Sequence, residues 1–249
     1  MTPAPGAPRL EVDGVTRRFG GIEALRQVTL GIEPGTLVAL VGPNGAGKTT
    51  LFDVITGLTP PTSGRVRFGG VDLTRLPPHR IARLGIGRTF QIGRLFPNLA
   101  VLDNVLVGVT FGAGPLADPA ERRRRAARLL EVVGLGDQAA AHARELSLGD
   151  QKRVELAVAL GIEPRLLLLD ELTSGLSPQG RDEVVRFYGR LRERGLTVVA
   201  IEHAFGVMTE LADRVIVLDH GVVIADGRPR DVLASREVTE AYLGEEDPP

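Results

Sequence analysis

Two short stretches of the chain carry residue types that do phosphate chemistry. Gly42-Pro43-Asn44-Gly45-Ala46-Gly47-Lys48-Thr49 fits G-x-x-x-x-G-K-[ST]. It follows an apolar run, Thr36 to Val41, and opens a helical pattern from about Lys48 to Thr56 that Gly57 closes. Glycines there let backbone N–H groups converge on phosphate oxygens without Cβ clashes. The start of a helix adds a partial positive charge. The expected nucleotide contacts are therefore Gly42, Pro43, Asn44, Gly45, Ala46, Gly47, Lys48, Thr49 and Thr50. Lys48 is expected to reach the β- and γ-phosphates, and the Thr49 hydroxyl to ligate Mg²⁺. The second stretch, Leu166 to Leu169 followed by Asp170-Glu171, reads as a buried strand ending in two carboxylates. Strand C-termini of a parallel sheet face the ligand crevice. Asp170 is expected to hold Mg²⁺ there, directly or through water. Glu171, one residue on, is expected to take a proton from an attacking water or polarise it.

The elements that must position these groups follow from periodicity. Strands are expected at Leu10 to Val15, Gln27 to Glu33, Thr36 to Val41 and Arg65 to Phe68. From about Pro77 to Leu160 the pattern becomes helical, with segments at Val101 to Val107, Pro119 to Val133 and Ser147 to Leu160. Strands and helices then alternate: Leu166 to Leu169, Arg181 to Arg194 and Leu196 to Ile201. A short helix, a hairpin (Val215 to Leu218, Gly221 to Ala225, with Asp219-His220 in its turn) and a last helix at Glu237 to Leu243 follow. The alternating parts imply an α/β core with a parallel sheet, interrupted by a helical insertion.

Composition bounds the function. The 249 residues are 43% hydrophobic and 24% charged with a net charge of -1, which gives no global pull toward nucleic acid or anionic lipid. No cysteine is present, so disulfide scaffolds and cysteine-based metal or redox sites are excluded. Only Lys48 and Lys152 among the basic residues are lysine, a bias read as genome composition. No apolar run approaches the ~18 residues of a membrane span. Met1 to Pro8 lacks the pattern of a signal peptide and reads as a frayed lead-in. Any service to a membrane is therefore expected to go through a partner. Arg122 to Arg125 reads as a solvated helix face, and His79, His142 and His220 show no zinc-ligand spacing.

Phosphate loop and acidic strand are common to many NTPases. The segments between and after them resemble one family. Gly87-Arg88-Thr89-Phe90-Gln91 resembles the Q-loop of ABC ATPases, and Leu146-Ser147-Leu148-Gly149-Asp150-Gln151 their signature motif. Ser174-Gly175-Leu176-Ser177-Pro178 resembles their D-loop, and Ile201-Glu202-His203 their switch histidine. Phe19 sits where the family stacks an aromatic on adenine. Gly87 to Gly108 and Ile201 to Asp226 are similar to the ATP-binding subunits of branched-chain amino acid ABC importers.

The resemblance implies an α/β P-loop NTPase of the ABC type, with a mixed core sheet, an antiparallel β subdomain and an inserted helical subdomain. It implies one domain over residues 9–244, with 9–76 and 164–244 as core and 77–163 as the helical part. ATP and Mg²⁺ are the implied ligands. Lys48, Gln91, Glu171 and His203 are implied in catalysis. Thr49, Gln91 and Asp170 are implied at the metal. Ser147 and Gly149 would touch the γ-phosphate of a second cassette, identical or not. The implied partners are that cassette, transmembrane permease subunits and, indirectly, a solute-binding protein, with no nucleic acid. The implied place is the cytoplasmic face of the inner or plasma membrane, peripherally bound through the permeases.

Four residues depart from the family's pattern: Leu148 and Asp150 in the signature, Leu172 after the acidic pair, and Ser177 in the D-loop. Asp150 has two readings: a variant capping box with Ser147, or a carboxylate facing the nucleotide. Two functions stand at this point: the ATPase motor of an importer, and a weakly hydrolysing, ATP-gated dimerisation module of a non-transport ABC protein.

Overall fold

The structure, a computed structural model, describes residues 9–90, 95–112, 118–172, 178–202 and 211–243. Ten strands form two sheets. Strands β1 (Leu10–Phe19), β2 (Ile22–Ile32), β4 (Ser63–Phe68) and β5 (Val71–Asp72) make an antiparallel sheet in the order β2-β1-β4-β5. Strands β3 (Leu37–Val41), β6 (Ile86–Arg88), β7 (Leu166–Asp170), β8 (Thr197–Ile201), β9 (Arg214–Asp219) and β10 (Val222–Gly227) make the second, in the order β10-β9-β3-β8-β7-β6. All of its pairings are parallel except that of the edge strand β10 with β9. The fold is therefore the expected α/β type with a mixed core sheet and an antiparallel β layer.

Eight α-helices lie among the described residues: α1 (Lys48–Ile55), α2 (Pro78–Arg83), α3 (Val101–Phe111), α4 (Pro119–Val132), α5 (Leu148–Gly161), α6 (Pro178–Glu193), α7 (Pro229–Leu233) and α8 (Arg236–Leu243). The strands of the mixed sheet explain their apolar runs. Val38, Leu40, Leu166, Leu168, Val199 and Ile201 join one core with the antiparallel sheet and α1. The alternate residues Leu37, Ala39, Leu167, Leu169, Val198 and Ala200 join a second core with α3, α4, α5 and α6. A strand buried on both faces has no solvent side to make polar, so period-2 alternation disappears.

Some bounds differ from the sequence reading, for physical reasons. β1 and β2 run on to a Gly20-Gly21 turn, because their far ends mix polar residues with exposed Phe19 and Ile22 and so break the apolar alternation. Ile86–Arg88 is a strand within a stretch that reads as helical; three residues are too few for a period to register. The late hairpin turns at His220-Gly221 rather than Asp219-His220. Both turn residues have positive φ (43° and 78°), as a two-residue type I′ loop requires. The expected short helix before β9 falls largely outside the described residues.

Candidate functional site

Strand register places the chemistry. Leu40 of β3 lies level with Ile201 of β8, and Ile201 lies level with Asp170 of β7. Three adjacent strands thus end together. β3 feeds the glycine-rich loop, β7 feeds Glu171, and β8 feeds Glu202. The outer two are separated by two strand spacings, about 10 Å.

The loop is held from below and open above. A Cβ on Gly42 would lie 1.9 Å from the Leu218 carbonyl oxygen, and one on Gly47 2.4 Å from that of Ala24. Both glycines have positive φ, 150° and 102°. Any side chain at either position would force the loop off β9 and β2. Asn44 and Gly45 at the crest are exposed, as is Thr49, while Thr50 is half-buried. Helix α1 starts at Lys48, and its N-cap, Gly47, has no side chain with which to cap it. Lys48 is buried, and its Nζ donates to the carbonyls of Gly42 (2.5 Å) and Pro43 (2.8 Å). An uncapped helix start beside a folded-in ammonium fits a phosphate chain.

Asp170 is buried at the end of β7. Its N–H donates to Thr89 Oγ1 at 3.0 Å, and its Oδ2 faces Arg88 Nη2 at 3.4 Å. Its Oδ1 is buried with no hydrogen-bond partner among the described residues. Burial pushes its carboxyl pKa up, and Arg88 acts against that push. An orphaned buried carboxylate oxygen is costly unless something cationic meets it, so the site fits a divalent cation. Arg88 is a site residue to which the sequence reading gave no role. It also binds Asp53 Oδ1 at 2.6 Å and lies over the rings of Phe52 and Phe90. No local signal marks it, because the three residues of β6 are too few for a period to register.

Glu171 has a left-handed backbone, φ 51°. Its N–H donates to the Ile201 carbonyl at 2.9 Å, and its own carbonyl accepts from Lys152 Nζ at 2.9 Å. Burial lowers the Lys152 pKa, against the pull of Glu202, Glu171 and Glu155. Next along the rim, Glu202 is buried and accepts from the Tyr188 hydroxyl at 2.8 Å. Gln91, His203 and Ser174 to Ser177 lie outside the described residues.

The signature segment begins α5. Ser147 is its N-cap: the Asp150 N–H donates to Ser147 Oγ at 3.2 Å, and the Ser147 hydroxyl donates to Asp150 Oδ2 at 2.7 Å. Of the two readings of Asp150, this is the capping one, with its return bond going to the hydroxyl rather than to the backbone. Ser147 and Leu148 are exposed and Gly149 half-buried. Phe19 is half-exposed at the β1 tip, with the Arg17 guanidinium 4.3 Å from its ring centre. Leu172 is buried in the helical core.

Comparison with known proteins places the fold in a family. The ABC transporter family matches residues 25–174, and the branched-chain amino acid ATP-binding cassette transporter family matches 222–248. The high-affinity branched-chain amino acid transport ATP-binding protein BraF of Pseudomonas aeruginosa is 40% identical, over 96% of this chain and 98% of its own length. The LivG protein of Escherichia coli, described in the same words, is 38% identical over the same shares. A nucleotide-free ATP-binding cassette from an ABC transporter superposes with a TM-score of 0.85 at 30% identity, covering 96% of this chain and all of that one. A dimeric bacterial ABC transporter cassette superposes at 0.82 with 31% identity, covering 89% and 99%. The chain belongs to the ATP-binding cassette family of ABC transporters, and it is an ATPase.

Proposed function

We propose that this ATPase powers an importer of branched-chain amino acids or related small organic solutes. It works beside a second cassette, on permease subunits at the cytoplasmic face of the membrane, with a solute-binding protein supplying the cargo. The cargo reading is supported by relatives of that description matched along nearly their whole length. That span also favours transport over a non-transport dimerisation module, since it leaves no room in those relatives for a second cassette. No helix among the described residues is long and apolar enough to cross a membrane. In this reading residues 9–76 and 164–244 form the nucleotide-binding core, and 77–163 the helical arm with the signature.

The observation that carries the chemistry is the level alignment of Leu40, Ile201 and Asp170 across β3, β8 and β7. Lys48 gives up the Gly42 and Pro43 carbonyls for β- and γ-phosphate oxygens. The uncapped N–H groups of α1 and the backbone of 42–47 hold the same phosphates. Phe19 stacks on the adenine. Thr49, Asp170 and Gln91 hold Mg²⁺. When bound, Mg²⁺ supplies charge neutralisation at the transferring phosphoryl group. Glu171 receives the proton of the attacking water, and His203 contacts the γ-phosphate. Ser147 and Gly149 complete the partner's site. Positioning and charge stabilisation do most of the work.

The test is uptake. Deleting the gene from its host should abolish import of labelled leucine, isoleucine or valine. Wild-type chain should restore it, and a Glu171→Gln chain should not. Unchanged uptake in the deletion strain would remove the cargo assignment while leaving the ATPase assignment standing.

A further inference from the structure

Of the 30 lysine-plus-arginine residues, only Lys48 and Lys152 are lysine. The phosphate loop accounts for Lys48. Lys152 lies on α5, two residues past Asp150, and is half-buried. Its Nζ reaches across to the Glu171 carbonyl at 2.9 Å. Glu202, Glu171 and Glu155 all act on its charge, and a compact ammonium on a flexible stem suits this single-carbonyl contact better than a planar guanidinium fork.

What Lys152 holds is a strained residue. Glu171 keeps φ 51°, a conformation that non-glycine residues adopt only when their surroundings impose it. Two backbone contacts impose it. β8 takes the Glu171 N–H through the Ile201 carbonyl, and α5 takes its C=O through Lys152. One grip comes from the rigid sheet, the other from the helix that begins with Ser147 and Gly149.

We propose that Lys152 is a positioning residue, the strut through which a chain's own signature helix sets the backbone of its own Glu171. This rests on the two-cassette reading above. There, Ser147 and Gly149 serve one nucleotide while Glu171 serves the other. A shift of α5 on the first nucleotide is carried by Lys152 to the base acting on the second. The two sites are thereby coupled inside each chain.

The test uses the full chain with Lys152→Met, which keeps the stem and removes the donor, and Lys152→Arg. Three readouts are needed: Mg-ATP affinity, steady-state hydrolysis, and amide hydrogen exchange in the peptide containing Glu171. For Lys152→Met the expectation is ATP affinity within about twofold of wild type and KM little changed, with kcat down tenfold or more. Exchange at Glu171 should be faster in the nucleotide-free protein. Lys152→Arg should recover only part of kcat. A Lys152→Met protein with kcat within twofold of wild type and unchanged exchange would overturn the proposal. If Lys152→Met fails to fold, Lys152→Gln is read by the same criteria. If wild type itself does not hydrolyse ATP with a second cassette, the two-cassette reading fails. The exchange measurement, made without nucleotide, then still decides the strut: unchanged protection at Glu171 sinks it.

Discussion

Replacing Arg88 with methionine tests how the site holds a buried carboxylate. The side chain of Arg88 is 5% exposed and that of Asp170 0%. Methionine keeps the packing against Phe52 and Phe90 but removes the charge. Asp53, on the other side, is about one-third exposed and is resolvated cheaply. Asp170 has no such escape: it already has one orphaned oxygen and would lose the partner of the other. Breaking a buried pair by removing one member costs about 3 kcal/mol or more. For a chain of this size that is a fall in Tm of about 6–12 °C. The pH dependence carries the sharper test. Burial already holds the Asp170 pKa above its ordinary value, and Arg88 is the main influence pulling it down. In the variant the folded-state pKa rises further above the unfolded one. Between those two values the native state binds more protons, so stability falls as pH rises through the window. Urea unfolding without nucleotide or Mg²⁺, at about pH 7.5 and about pH 5, should show the larger loss at the higher pH. An equal loss at both, or a loss under about 1 kcal/mol at the higher pH, would refute the argument that Arg88 neutralises Asp170.

Four further outcomes are expected. Lys48→Ala should sharply weaken ATP binding, and unchanged affinity by calorimetry would remove the phosphate-loop assignment. Glu171→Gln should bind ATP but turn over more slowly by about two orders of magnitude or more, with an ATP-bound dimer accumulating on size exclusion; normal turnover would mean that another group activates the water. Gly149→Asp should leave ATP binding nearly intact while abolishing dimerisation and hydrolysis together, and wild-type turnover would sink the two-chain site. Asp150→Gln should lower stability by only about 0.5 kcal/mol and leave turnover alone, because Asp150 is engaged with Ser147; a severalfold rise in turnover would instead place its charge against the nucleotide.

The phosphate loop was legible in the sequence because its requirements are local. Strand, glycines, lysine and helix start are contiguous, and the backbone clashes at Gly42 and Gly47 act within that one turn. The Ser147–Asp150 cap was legible for the same reason, since three residues of helix bring the groups together. Arg88 and Lys152 were not legible. Arg88 meets Asp170 only because β6 pairs with β7, a partnership between strands nearly 80 residues apart. Lys152 meets Glu171 only because α5 packs where β7 ends. Neither side chain has a spacing that announces its partner. The long β1–β2 hairpin was half-visible: its buried residues alternate, but Thr16 to Phe19 are polar or exposed and left no apolar trace.

The four departures from the family's pattern differ in what they can disturb. Leu172 is 4% exposed and packs in the helical core, so the position next to Glu171 is secured by burial rather than by the conformational stiffness of proline. Ser177 lies outside the described residues. Asp150 occupies the Ser147 hydroxyl at 2.7 Å, and that bond must give way or be shared if Ser147 is to donate to a partner's phosphate. A hydrogen bond so exchanged costs about 1 kcal/mol. Leu148, beside it, is 64% exposed, a large apolar side chain at the start of the helix that a second cassette would cover. Covering it would contribute about 1–2 kcal/mol. In the proposed two-cassette state the two departures would act in opposite directions at the same surface.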